Sequence, residues 1–135
     1  MATLVTDAAR RLGDAYWPGP LTLVLATDRK DLSLSASVGT VGVRVPDLDV
    51  LRVFLRVTGP VAVSSANKHN GPAATTVDAA IAQLGAEVAL YIDGGQTPGP
   101  APSTVVDCSS GKVTILRVGL VPAEQILAMA GVVDA

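Results

Sequence analysis

"STVVDCSSGKVTILRVG", residues 103–119, decides how the chain is read. Two runs rich in β-branched residues flank Ser-Ser-Gly, the pattern of two antiparallel strands joined by a turn. Upstream, strand and helix patterns alternate. "LTLVLA" (21–26) alternates as a strand does, and "TVGVRV" (40–45) reads as a second strand closed by Pro46. The polar "TDRK" and a small-residue stretch ending at Gly39 connect them. "VAVSS" (61–65) reads as a third strand and "EVALYIDGG" (87–95) as strand then turn. "AARRLGDAY" (8–16) is a short helix stopped by "WPGP". Asp47 caps a helix through "LDVLRVFLRV", where Leu48, Leu51, Phe54 and Leu55 fall near helical spacing and Gly59 and Pro60 end it. Thr76 caps "VDAAIAQLG", with Gly85 at its C-terminal end, and Pro122 opens the last helix, "AEQILAMAG". Alternating elements closed by a hairpin give an α/β class with a mixed sheet. No internal repeat and no linker divides the chain, so residues 1–135 are read as a single domain.

Composition narrows the function. With 49% hydrophobic and 16% charged residues the chain has ample material for a core, and aromatics are only 3%, so that core is built from Ala, Val and Leu. Ten Lys and Arg against twelve Asp and Glu leave a net charge of -2, which gives no broad positive field for a nucleic-acid backbone. One cysteine, Cys108, excludes an internal disulfide and Cys-based zinc sites, and fits a reducing, cytoplasmic setting. The first residues carry acids and arginines where a signal peptide keeps an apolar run. No segment reaches the roughly 18 uninterrupted apolar residues of a membrane helix, so a soluble protein is expected.

Small polar groups and arginines cluster near the predicted strand ends, where open α/β sheets bind ligands. In "WPGPLT", Trp17 is expected to pack over the prolines and help seal the core. Thr40 and Arg44, four apart on one strand, share a face; Arg44 either meets a carboxylate or phosphate or lies on the solvated side of an edge strand. In "SSANKHNGPAATT", Ser64, Ser65, Asn67 and Thr75 supply donors and acceptors, or simply cap the turn. His69, the only histidine, sits among them without specifying a catalytic triad. Ser103 and Asp107 bracket one strand and Arg117 ends the next. Neutral hydroxyls with two arginines suit a site that positions an anion and stabilises developing charge rather than one built on a covalent nucleophile.

"WPGPLTLVL", "GTVGVRVP", "VSSANKHNGPAATT", "PSTVVD" and "ILRVG", in that order, resemble the YrdC-like family of threonylcarbamoyl-AMP synthases, over Ala15 to Gly131. The resemblance implies a twisted mixed sheet with flanking helices around a concave ligand cleft. It implies an enzyme that makes L-threonylcarbamoyladenylate and pyrophosphate from L-threonine, bicarbonate and ATP, with Mg²⁺ assisting at the triphosphate, for threonylcarbamoyl modification of tRNA adenosine. Carried over by position, Arg44, Ser65 and Ser103 would contact L-threonine. Thr40, Asn67, Thr75 and Arg117 would contact ATP. No residue is assigned as catalytic or as a metal ligand. Downstream tRNA threonylcarbamoyl transferase proteins and weak RNA binding are the partners the resemblance suggests, with no membrane.

The chain departs from the family pattern in three places. His69 and Asn70 stand where Ser-Gly is common, and Asn tolerates the left-handed backbone that such a loop needs. Val118 replaces a proline after Arg117. The family's N-terminal portion, with its Thr-Asp-Thr-Val-Tyr-Gly-like strand and Lys-x-Arg pair, has no counterpart here, about 60 to 70 residues in all. The domain is therefore expected to be N-terminally incomplete, the C-terminal two thirds of the family domain, with apolar edges left exposed. A non-catalytic nucleotide- or RNA-binding module and a carbamoyl-transfer relative of hydrogenase-maturation proteins are the competing readings.

Overall fold

A computed structural model describes residues 2–29, 39–97 and 101–131. The described chain gathers into two compact units, residues 1–61 with 102–135, and residues 62–101.

The larger unit holds the sheet. Its strands are β1 (Leu21–Ala26), β2 (Thr40–Val43), β3 (Thr104–Asp107) and β4 (Thr114–Arg117), in the order β2-β1-β3-β4. β1 runs antiparallel to β2 and parallel to β3, and β3 and β4 form the antiparallel hairpin that residues 103–119 announce. The mixed sheet is thus as expected. Most of the connector between β1 and β2 lies outside the described residues.

Alternation along β1 sorts the sheet into two faces. Leu21, Leu23 and Leu25 are buried on one face together with Thr104 and Val106 from β3 and Cys108 just beyond it. Helices α1 (Asp7–Tyr16) and α4 (Ala123–Ala130) cover that face through Ala9, Leu12, Ile126 and Ala130. Arg11 ties them by donating from Nη2 to the Ala130 carbonyl at 2.6 Å and from Nε to that of Met129 at 3.3 Å, which satisfies carbonyls at the end of α4. Thr6 caps α1 by accepting from the Ala9 amide. Trp17 follows α1, half-buried against the core, with its indole N–H on the Leu21 carbonyl at 2.8 Å. Its ring lies over Gly13, where a Cβ would come within 3.1 Å of it.

Thr104 fastens the chain beyond β4. Its fully buried hydroxyl donates to the Val121 carbonyl at 2.7 Å and accepts from the amides of Gly119 and Val121 at 2.9 and 3.1 Å. Gly119 is required there, because a Cβ would fall 2.2 Å from the Pro102 carbonyl oxygen.

α2 (Asp49–Thr58) forms at the expected place, but its cap differs. Leu48 occupies the N-cap without a side-chain bond, and Asp47 instead accepts from Arg52 at 2.9 Å. Arg52 also donates to Asp49 and to the Pro46 carbonyl. The hydrogen bond to Asp47, the largest influence, raises the Arg52 pKa against the opposing effect of desolvation, with smaller upward contributions from Asp49. None of the α2 side chains is buried.

The smaller unit carries α3 (Val77–Leu84), capped by Thr76 at the Ala79 amide, then a short 3-10 turn, Gly85–Glu87. Two expected strands are absent: neither "VAVSS" nor "EVALYI" is a strand. Most of their apolar residues are uncovered, with Val63 85% and Leu90 73% exposed. A strand is a paired object, and an apolar run with no neighbouring backbone to bond with does not become one. The turn after "EVALYI" is present, closed by Asp93 accepting from the Gly95 amide.

Candidate ligand-binding site

The face of the sheet away from α1 and α4 carries the residues singled out in the larger unit. Thr22 lies on it, and its hydroxyl meets that of Ser103 at 2.8 Å. Arg117 reaches Ser103 from β4, donating to its carbonyl from Nε at 3.2 Å and Nη2 at 3.0 Å, and to its hydroxyl at 3.3 Å. The register explains the approach, since Val105 opposes Arg117 and the pairing shifts between Val105 and Val106, which turns the end of β4 toward Ser103.

On the other side of Thr22 stands Arg44. β2 ends at Val43, which opposes Leu23, so Arg44 lies one residue beyond the strand rather than inside it and continues the register toward Thr22. Its Nε donates to the Gly19 carbonyl at 3.0 Å, while the Gly19 amide donates to the Val45 carbonyl at 2.8 Å. The rigid Trp-Pro-Gly-Pro turn thus holds the base of the guanidinium and leaves its outer nitrogens exposed. Among the described residues, neither Arg44 nor Arg117 pairs with a carboxylate.

The row runs Arg44, Thr22, Ser103, Arg117 across the sheet, with Arg44 one residue past β2 and Ser103 one residue before β3. It sits at the N-terminal ends of the parallel pair β1 and β3, not at the carboxyl ends where doubly wound sheets take their ligands. The antiparallel strands β2 and β4 bring their C-terminal ends to the same edge, and both arginines arrive from there. Thr40 is not in the row. It opposes Ala26 at the far end of β2, about 13 Å from Arg44 along an extended chain.

The smaller unit holds Ser65, Asn67 and Thr75. Ser65 is exposed, and the backbone carbonyl of half-buried Thr75 accepts from the Thr97 amide at 2.9 Å. Asn67 crosses the turn that follows it, its Nδ2 donating to the carbonyls of Lys68 at 2.8 Å and Gly71 at 3.1 Å. Two carbonyl partners fix the amide's orientation, so Oδ1 is the atom pointing away, buried and without a partner among the described residues. An acceptor left in that state costs about 1 to 3 kcal/mol. Asn70 adopts φ 62°, the left-handed backbone its side chain tolerates. His69 is exposed on the same turn.

Reading the sequence did not find Thr22 or Gln83. Thr22 had a signal, being the lone polar residue in "LTLVLA" and out of phase with the leucines. Gln83 had none, since a glutamine on a short helix looks like any solvated side chain. Here its Oε1 accepts from the Lys68 amide at 3.2 Å and its Nε2 donates to the Pro72 carbonyl at 3.0 Å.

A family model for Sua5, YciO and YrdC, described as telomere recombination, matches residues 1–119. The chain belongs to the Sua5/YciO/YrdC family. A Mycobacterium leprae protein provisionally named a threonylcarbamoyl-AMP synthase is 42% identical over 130 residues, 96% of this chain and 59% of that protein. The threonylcarbamoyl-AMP synthase of Bacillus subtilis is 34% identical over 93% of this chain and 37% of its own length. The crystal structure of Pyrococcus abyssi Sua5 complexed with L-threonine superposes with a TM-score of 0.88 at 30% identity, covering 97% of this chain and 39% of that one. Escherichia coli YciO follows with a TM-score of 0.80 at 25% identity, covering 93% of this chain and 63% of that one. The chain therefore spans less than two thirds of the length of these curated relatives. Among the described residues no helix is long and apolar enough to cross a membrane, and no group of three or more His, Cys, Asp or Glu could hold a metal ion.

Proposed function

We propose that the chain contributes the threonine-holding and part of the nucleotide-holding surface of a cytoplasmic threonylcarbamoyl-AMP synthase, residues 1–135 forming the C-terminal two thirds of one YrdC-like domain. The observation that carries the reading is the row of two backbone-anchored arginines flanking paired hydroxyls. Within the larger unit, Arg44 meets the carboxylate of L-threonine with its outer nitrogens, a geometry suited to a bidentate contact, and Ser103 contacts the same amino acid. Arg117 of the same unit faces the phosphates of ATP, with Thr40 toward the nucleotide; in the smaller unit, the family resemblance assigns Ser65 to L-threonine and Asn67 and Thr75 to ATP. The likeness to a Sua5 complexed with L-threonine supports the assignment of the amino acid.

The chemistry asks little of side chains as acids or bases. The threonine amine combines with bicarbonate to give a carbamate and water, and a carbamate oxygen then attacks the α-phosphorus of ATP, with pyrophosphate leaving. What the residues contribute is proximity and neutralisation of charge on three anionic reactants. Mg²⁺ would enter with the triphosphate and offset part of its charge. The adenylate is a high-energy carbamoyl donor, and transferases acting on tRNA adenosine would consume it.

The test is pyrophosphate release from the purified chain with ATP, Mg²⁺, L-threonine and bicarbonate, against a threonine-free control. Threonine-dependent release is the expected result for a chain that suffices. If release is absent, calorimetric titration with L-threonine decides whether the binding surface stands, and a folded chain that binds neither threonine nor ATP overturns the reading.

A further inference from the structure

The turn after Asn67 is built twice over, and only the inner half comes from the turn itself. From within, the Gly71 amide bonds the Lys68 carbonyl at 2.7 Å and Asn67 crosses to Lys68 and Gly71. From outside, the carboxamide of Gln83 on α3 spans Lys68 and Pro72, using its acceptor on one and its donor on the other. Gly71 makes room for it, because a Cβ there would lie 2.6 Å from Gln83 Oε1. Glutamine fits both ends because its two functions differ: glutamate has no donor for the Pro72 carbonyl, and lysine no acceptor for the Lys68 amide.

From this geometry we infer that Gln83 is a positioning residue. It touches no ligand, and it fixes the Lys68–Pro72 turn so that Ser65 and Asn67, with its unpartnered Oδ1, are held in one arrangement before any ligand arrives. The inference rests on the functional reading above, which places ATP and L-threonine at these two side chains. A preset loop pays less ordering entropy on binding, so losing the clamp weakens affinity without removing any contact to the ligand.

Three chains test it: the wild type, Gln83→Met, which keeps length and apolar stem, and Gln83→Glu, which keeps only the acceptor. Amide exchange at Lys68 reads the clamp directly, and titration with ATP and with L-threonine reads its consequence. Gln83→Met should speed Lys68 exchange at least tenfold and raise the Kd of ATP about tenfold, with the melting temperature held. Gln83→Glu should fall between the two in both measurements. Unchanged Lys68 exchange in Gln83→Met overturns the inference, and so does faster exchange with unaltered affinity, which would leave Gln83 a merely structural staple. If the wild type binds neither probe, the functional reading fails on its own, while faster Lys68 exchange in Gln83→Met still supports the clamp.

Discussion

Arg44 and Arg117 spend part of their hydrogen-bonding capacity on backbone carbonyls, of Gly19 and Ser103, before any ligand is present. That anchoring separates the two substitutions usually treated as equivalent. Arg44→Ala removes a charge-assisted contact worth about 1.5 to 3 kcal/mol, so threonine affinity measured by calorimetry should fall roughly 10- to 100-fold. Arg117→Lys keeps the charge and loses the fork that grips Ser103 from two nitrogens, so ATP affinity should fall about tenfold while the melting temperature is retained. Cys108 gives the pH dependence. Burial, with a smaller contribution from the Asp107 charge, pushes its thiol up from 9.0 to about 11. The native state disfavours the thiolate, so the stabilisation is complete below pH 9 and is lost as pH rises toward 11. Denaturant titrations at pH 8 and pH 10.5 should show the midpoint falling, and the fall should be absent in Cys108→Ala. Thr104→Val keeps the shape but strands two amides and a carbonyl, and should cost at least about 2 kcal/mol in the same titration.

Elements differ in how much of their fate was written locally. The four strands of the sheet and α1, α3 and α4 were legible, because "LTLVLA" alternates, Ser-Ser-Gly turns, and Thr76 caps. "VAVSS" and "EVALYI" were misread for a physical reason: apolar β-branched composition states a willingness to pair, and pairing needs a neighbour that these described residues lack. Asp47 was misread because Arg52 competes for its carboxylate. The site was half legible. Arginines and hydroxyls near strand ends stood out, yet nothing local reveals that Thr22 joins Ser103, that Thr40 lies at the other end of β2, or that Gln83 reaches the turn from α3. α2 makes the contrast testable, since it shows helical spacing without burial. Val57, 84% exposed, should tolerate replacement by Ser within about 0.5 kcal/mol, whereas Leu23→Ala should cost about 2 to 5 kcal/mol, both read from the denaturation midpoint.

Burial is distributed unevenly over the whole molecule. Every member of the core cluster belongs to the larger unit, and within the smaller one, among the described residues, Ala80 alone of the hydrophobic side chains is buried. Amides of α3 should therefore exchange faster than those of β1 and β3, measured in one native-state exchange experiment. The single tryptophan gives that asymmetry an optical form. Trp17, bonded to the Leu21 carbonyl beside Thr22, and Tyr16 belong to the larger unit, and Tyr91 to the smaller. With Tyr16→Phe the protein carries a spectroscopic label for each unit: emission excited at the indole edge follows the larger, tyrosine absorbance adds Tyr91 of the smaller, and a lag between the two melting curves would time the units against each other without any dye.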